Sequence, residues 1–248
     1  MLNIRVPVLI LFLALFAGGC AKKESALTGS DQTAGVTFKT PEEAVTSYLE
    51  GVARGDVRKI LQASAINEMG GNFKFAYYAE RLGVMNPTYL APAEYPLYAE
   101  INKAQLSSQI LNQVKSLAFS LLSGELMEGT MIQADAERVS RFIKDVDPQG
   151  LSKLEIRKIS LPNKPVMGDA KYMENAAKVA KGYGADESTE RLALISFGQN
   201  YYYVGFTLLR YGAGWKIANQ VSPLAGTSAL GAAQQTTEEE FERLSSGR

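Results

Sequence analysis

The chain has 248 residues, with 26 Lys and Arg against 26 Asp and Glu, one Cys and no His. A balanced charge leaves no basic footprint for nucleic acid, and without imidazole, and with a single thiol, Ser-His-Asp chemistry, Cys-His chemistry and the usual zinc sites are removed. An apolar share of 46% is that of a globular protein, and no stretch after residue 20 is long enough to span a bilayer.

The first segment, "MLNIRVPVLILFLALFAGGCAKKES", joins Arg5, an apolar run over 6–16 and small Ala17, Gly18 and Gly19 to the single Cys20. That is the layout of a secretory signal, and the run is too short for a permanent span. "AGGC" resembles the lipobox of bacterial lipoproteins, with Ala17 standing where the family usually has a larger aliphatic residue. The resemblance implies removal of 1–19 and lipidation of Cys20, which accounts for an odd thiol in an exported chain. It makes the membrane a partner, reached through acyl chains, with the protein facing periplasm or exterior. Residues 20–39 are small, polar and aperiodic and read as a flexible tether. Lys22 and Lys23 within it either meet lipid headgroups or are simply solvated.

"KTPEEAVTSYLEGVARGDVRKIL" opens the folded part. Thr40 suits an N-cap, Pro41 a first helical position and Glu43 a capping box. Ala44, Val45, Tyr48, Leu49 and Val52 then share one face. Gly55 ends this helix, Asp56 caps the next, and Val57, Ile60 and Leu61 supply its buried side. "NFKFAYYAERLG" suits either helix or strand, and the three prolines of "MNPTYLAPAEYP" impose a connector. Over 97–122, Leu106, Ile110, Leu111, Val114, Leu117, Ala118, Leu121 and Leu122 form a helical stripe, read as core ahead of a membrane-surface face. Gly124 is its expected stop. "QADAERVSRFIKDV" is a further amphipathic helix.

The last third changes period. "LSKLEIRKISLP" alternates but slips between Ile156 and Ile159, the mark of a β-bulge at Arg157–Lys158. "DAKYMENAAKVAKGYG" reads as a short helix. "ERLALISF", "YYYVGFTLLRY" and "GWKIANQV", joined by short Gly turns, predict an antiparallel meander. Trp215 alternates with Ile217 and Val221 on its core side. Residues 224–248 are Ala-, Gly-, Thr- and Glu-rich and read as a mobile tail with a frayed helix near 238–244.

The expected fold class is α+β: N-terminal helices packed on a C-terminal curved antiparallel sheet, as one domain over 40–223 with a long helical insertion at about 65–150. Residues 40–61 and 190–221 resemble the nuclear-transport-factor-like group of cystatin-like folds, in which "PEEAV…YL…A…GD" opens a helix pair over a curved sheet and the last strand carries a G-W-K-I-like segment. That fold hosts enzymes and inert binding modules alike, so the resemblance does not supply a function.

Chemistry-bearing motifs are scarce. G-x-S-x-G, S-x-x-K and P-loop patterns are missing. "DVDPQG" begins like a calcium loop but puts Ile156 where a bidentate Glu is required. No metal, cofactor or catalytic set is expected. On the strand over 201–211, Tyr202, Val204, Phe206 and Leu208 face one way, while Tyr201, Tyr203, Gly205, Thr207 and Tyr211 face the other. Tyr201, Tyr203 and Tyr211 are therefore the candidate ligand-binding residues, against the plainer reading that a helix covers them. The expected function is a non-catalytic binding or interaction module of the bacterial envelope, for an envelope protein or small ligand. The alternative is a carboxylate-based hydrolase or isomerase drawing on Asp169, Asp186, Glu187 and Glu190.

Overall fold

A computed structural model of the chain describes residues 36–86, 89–123 and 134–247. The expected signal, Cys20, the tether up to residue 35 and the Gly124 stop lie outside the described residues.

α1 (Pro41–Arg54) begins as its sequence dictates: the Thr40 side chain accepts the Glu43 N–H at 3.1 Å, and Gly55 closes the helix in the left-handed region at φ 65°. The Glu43 carboxylate, however, accepts the N–H of Lys39 at 2.7 Å, one residue outside the expected capping box. α2 (Val57–Ala63) is capped by Asp56 and buries Ile60 and Ala63. Val57, the first residue of α2, is exposed, contrary to expectation. α3 (Ile66–Asn72), α4 (Phe75–Leu82) and α5 (Pro96–Leu122) follow, then α6 (Ala136–Asp145). The α5 stripe is core: Leu106, Ile110, Leu117 and Leu121 are buried.

The sheet is antiparallel, in the order β1 (Leu154–Ser160), β2 (Glu187–Phe197), β3 (Asn200–Tyr211), β4 (Gly214–Asn219). β1 carries the expected bulge, since its register with β2 jumps between Ile156 and Lys158. The β3–β4 register shifts at Ala218, where Leu208 pairs with Ile217 but Thr207 with Asn219. That irregularity ends the alternation before Val221. Between β1 and β2 lie α7 (Lys164–Met167) and α8 (Ala170–Gly182), the latter capped by Asp169.

One sheet face carries Ala193, Ile195, Val204, Phe206, Leu208, Trp215 and Ile217 and packs on α1, with the Tyr48 ring edge-on to Phe206 at 5.6 Å. The opposite face is covered in two patches. Leu209 and Ala218 pack with Ile66, Met69, Phe73, Leu106 and Ala180. Leu192 and Leu194 pack with Phe241.

The second patch corrects the expected mobile tail. β5 (Gln234–Thr236) pairs with Tyr201–Tyr203 of β3, and α9 (Glu238–Ser246) lies over β2 with Phe241 fully buried. A complete Thr237–Glu240 capping box starts α9. The Asn163 N–H bonds the Leu244 carbonyl at 2.9 Å, and the Ser245 hydroxyl bonds the Leu161 carbonyl at 3.0 Å. The composition of this segment resembles a tail, but a buried aromatic, a short strand pairing and two hydrogen bonds to the 161–163 turn dock it on the sheet.

Candidate functional site

The outward face of β3 starts at Tyr201 and ends at Tyr211, and the structure separates the candidate tyrosines along it. Tyr201 and Tyr203 belong to the patch under α9, whereas Tyr211 belongs to the patch under α3 and α8. Between them the 222–227 turn presses on the strand. A Cβ on Gly205 would lie 2.6 Å from the Ser222 amide nitrogen and the Thr227 hydroxyl, so only glycine permits this crossing. The Thr207 hydroxyl donates to the Val221 carbonyl at 2.8 Å.

Tyr203 lines a cavity of about 580 Å³. Glu240, Arg243, Leu244 and Gly247 form one wall, at the spacing of a single helix face. Leu224 and Ala225 form another, and Asn163, Gln235 and Thr236 complete it. Asn163 holds a positive φ of 42°, a conformation that few non-glycine residues adopt. The Arg243 guanidinium stands 3.9 Å from Glu240 Oε1, so the charges in the cavity oppose one another. Burial, and then the Glu240 carboxylate, push the Tyr203 hydroxyl above its ordinary range. Tyr201, beside it, is raised first by its hydrogen bond to Glu238. The lining therefore offers hydrogen-bonding groups and one paired charge around an apolar wall.

Tyr211 has a different environment. It donates to the Tyr183 carbonyl at 3.1 Å, and the Tyr183 and Tyr89 hydroxyls share a short hydrogen bond. Tyr78 stacks on Tyr89 at 5.3 Å, and Phe73 touches Tyr78, Tyr89 and Tyr183. This is a filled aromatic cluster joining β3 to α3, α4 and α8.

Each of the four candidate carboxylates has a bonded role. Asp169 accepts the N–H groups of Lys171 and Tyr172 at the start of α8. Asp186 accepts the Gly212 N–H at 2.7 Å, and Glu187 pairs with Arg210 at 3.1 Å. Glu190 is buried and accepts the Tyr172 hydroxyl at 3.0 Å, the Ser222 hydroxyl at 2.6 Å and the Leu224 N–H at 3.1 Å. It thereby pins both the 222–227 turn and α8 to β2. Sequence reading placed Glu190 among available carboxylates; burial under a turn more than thirty residues away has no local signal.

Lys216 was also missed. It faces away from Trp215, is buried, and donates to the Gln62 carbonyl at 2.6 Å, with Glu68 at 4.0 Å. Burial lowers its pKa, and the Glu68 carboxylate partly offsets this. Among the described residues no group of three or more His, Cys, Asp or Glu is placed to hold a metal.

Alkali should loosen this structure. Burial is the largest cause raising Tyr48, Tyr89, Tyr172, Tyr183 and Tyr211 above the usual value. In the unfolded chain these phenols ionise near pH about 10. Their contribution is thus fully present below that pH and is lost as pH rises beyond it. Lys216 acts oppositely, since unfolding restores a proton to it, but it is one group against five. The urea midpoint should fall between about pH 9 and 11, alongside a delayed phenolate absorbance. A midpoint flat across that range would show these rings to be solvated.

The helices on an antiparallel curved sheet define a cystatin-like α+β fold. A crystal structure at 2.10 Å of a cystatin-like protein from Ruminococcus gnavus ATCC 29149 superposes with a TM-score of 0.53 and 22% identity. The match covers 79% of this chain and 44% of that one, so this chain spans less than half of its length. No family model and no curated protein sequence matches.

Proposed function

We propose that this chain is a lipid-anchored bacterial envelope protein whose folded domain is a non-catalytic binding module, taking a small polar ligand in the Tyr203 cavity. The observation that carries the binding reading is the cavity itself: hydrogen-bonding side chains from β3, β5, α9 and Asn163 converge on one open cavity with an apolar wall at Leu224 and Ala225. The anchor reading rests on the lone Cys20 after "AGG". Among the described residues no helix is long and apolar enough to cross a membrane.

The full-length chain exposed to the small-molecule fraction of a bacterial envelope extract should retain a ligand in native mass spectrometry. Leu224→Trp, which fills the cavity, should lose it, and Arg243→Ala should weaken it. A ligand saturating at a hundredfold its dissociation constant adds about 2.7 kcal/mol to stability, so a melting shift accompanies retention. Equal retention by wild type and Leu224→Trp would remove the site. Separately, Cys20→Ser should leave the membrane fraction or accumulate unprocessed, and continued incorporation of labelled fatty acid would remove the anchor.

A further inference from the structure

An apolar patch lies on the wrong side of α5. The helix buries Asn102, Leu106, Ile110, Gln113 and Leu117 on one arc. At 100° per residue, Leu97 and Ile101 fall on the opposite arc and Tyr98 beside them. All three are exposed, Leu97 at 69%. Further along the same arc Ser108, Asn112 and Lys115 are polar and Phe119 and Leu122 are partly covered, so the exposed apolar character is confined to the first turns. Tyr95, just before the helix and itself exposed, lays its ring 5.8 Å from that of Tyr98. Exposed apolar side chains adjoining one another in this way mark an interaction site.

The patch is held rigidly. Asn102 bonds both the N–H and the carbonyl of Ala91, at 2.8 Å each, which fastens the connector to α5. Tyr89 in that connector reaches Tyr183, and Tyr183 accepts from Tyr211 at the end of β3. Tyr211 pairs with Gly214, where a Cβ would meet the Thr37 side chain at 2.6 Å, and the Trp215 N–H bonds the Phe38 carbonyl at 2.8 Å. The connector therefore lies at the end of the sheet where the chain enters from its N-terminal segment. Cys20 precedes Val36 by sixteen residues, a length that extends to at most about 55 Å and, as a coil, averages about 22 Å.

We propose that the surface formed by Tyr95, Leu97, Tyr98 and Ile101 rests in the interfacial layer of the bilayer that holds the Cys20 lipid. This rests on the anchor reading above. Tyrosines beside aliphatic side chains match that layer, where a ring and a hydroxyl are both accommodated. A surface too small to bind lipid from solution suffices once a short tether makes docking intramolecular. Docking orients the domain with the β3–β4 turn toward the membrane. Glu155, opposite Ser196 and through it Tyr201, then lies at the other end of the sheet.

The test uses the mature lipidated chain carrying Leu97→Cys, Ile101→Cys or Glu155→Cys. Each is labelled with an environment-sensitive maleimide and reconstituted in phosphatidylethanolamine–phosphatidylglycerol vesicles with nitroxide-bearing lipids. The Leu97 and Ile101 labels should shift to the blue and be quenched by the nitroxides several-fold more than the Glu155 label. Water-like emission at all three positions on a lipidated chain overturns the docking and leaves the anchor standing. A blue shift without nitroxide quenching shows a protein, not lipid, over the patch and also overturns it. Label taken up by the wild-type chain reveals a free Cys20 and removes the anchor, and the tethering argument with it.

Discussion

Replacing Phe241 by alanine should cost about 3–5 kcal/mol, a large part of the roughly 5–15 kcal/mol that holds a domain of this kind. The ring has no solvent exposure and packs on Leu192 and Leu194, with Tyr201, Tyr203, Ala225 and Leu244 around it. Truncation removes the transfer free energy of the ring and leaves a cavity that two rigid strands cannot collapse into. The Lys158–Glu242 ion pair and the Thr237 capping box, both at the surface, would hold α9 only weakly without it. Urea denaturation followed by circular dichroism measures the loss, and Leu230→Ala, at an exposed position, is the matched control. A Phe241→Ala midpoint indistinguishable from that control would return this segment to the status of a tail. Limited proteolysis separates local release of α9 from global unfolding, because release exposes the C-terminal residues first.

Trp215→Ala should have an effect of similar size, about 3–5 kcal/mol, through the other sheet face. Trp215 is 9% exposed and joins Ile217, Leu208 and Phe206 against α1, while the Arg210 guanidinium lies 6.0 Å from its ring. Its backbone N–H bonds the Phe38 carbonyl at 2.8 Å, a bond that alanine would keep, so the expected cost comes from the ring alone. Since this is the single tryptophan, the wild-type protein reports on the site directly: native emission should be blue-shifted and resistant to iodide. Emission like that of free tryptophan would place the ring in solvent and void the expected cost. Tyr203→Ala should cost less, because its ring borders an open cavity and is only half-buried.

Much of the domain was legible in the sequence wherever one element carries its own signal. Thr40, Pro41 and Gly55 bound α1 because capping and φ preference act within four residues. The bulge at Arg157 was visible as a slip in a period-two pattern, and the split of β3 into a core row of Tyr202, Val204, Phe206 and Leu208 and an outward row follows from the pleat. The long stripe of α5 read as core, and it is core.

What tertiary structure alone decided is which partner meets each outward row. Tyr201, Tyr203 and Tyr211 share a face by parity, yet the 222–227 turn crosses at Gly205 and divides them into a cavity wall and an aromatic cluster. Glu190 and Asp186 are both acidic residues at the start of one strand; only the arrival of Ser222, Leu224 and Tyr172 makes the first a buried hydrogen-bond centre. The last residues look like solvent-loving tail, and the burial of Phe241 together with the β5 pairing reverses that. Capping, turns and periodicity are short-range and are written where they act. Burial depends on segments brought from 30 to 150 positions away, as in Arg191 bonding Glu42 across 149 residues, and no local pattern encodes such a meeting.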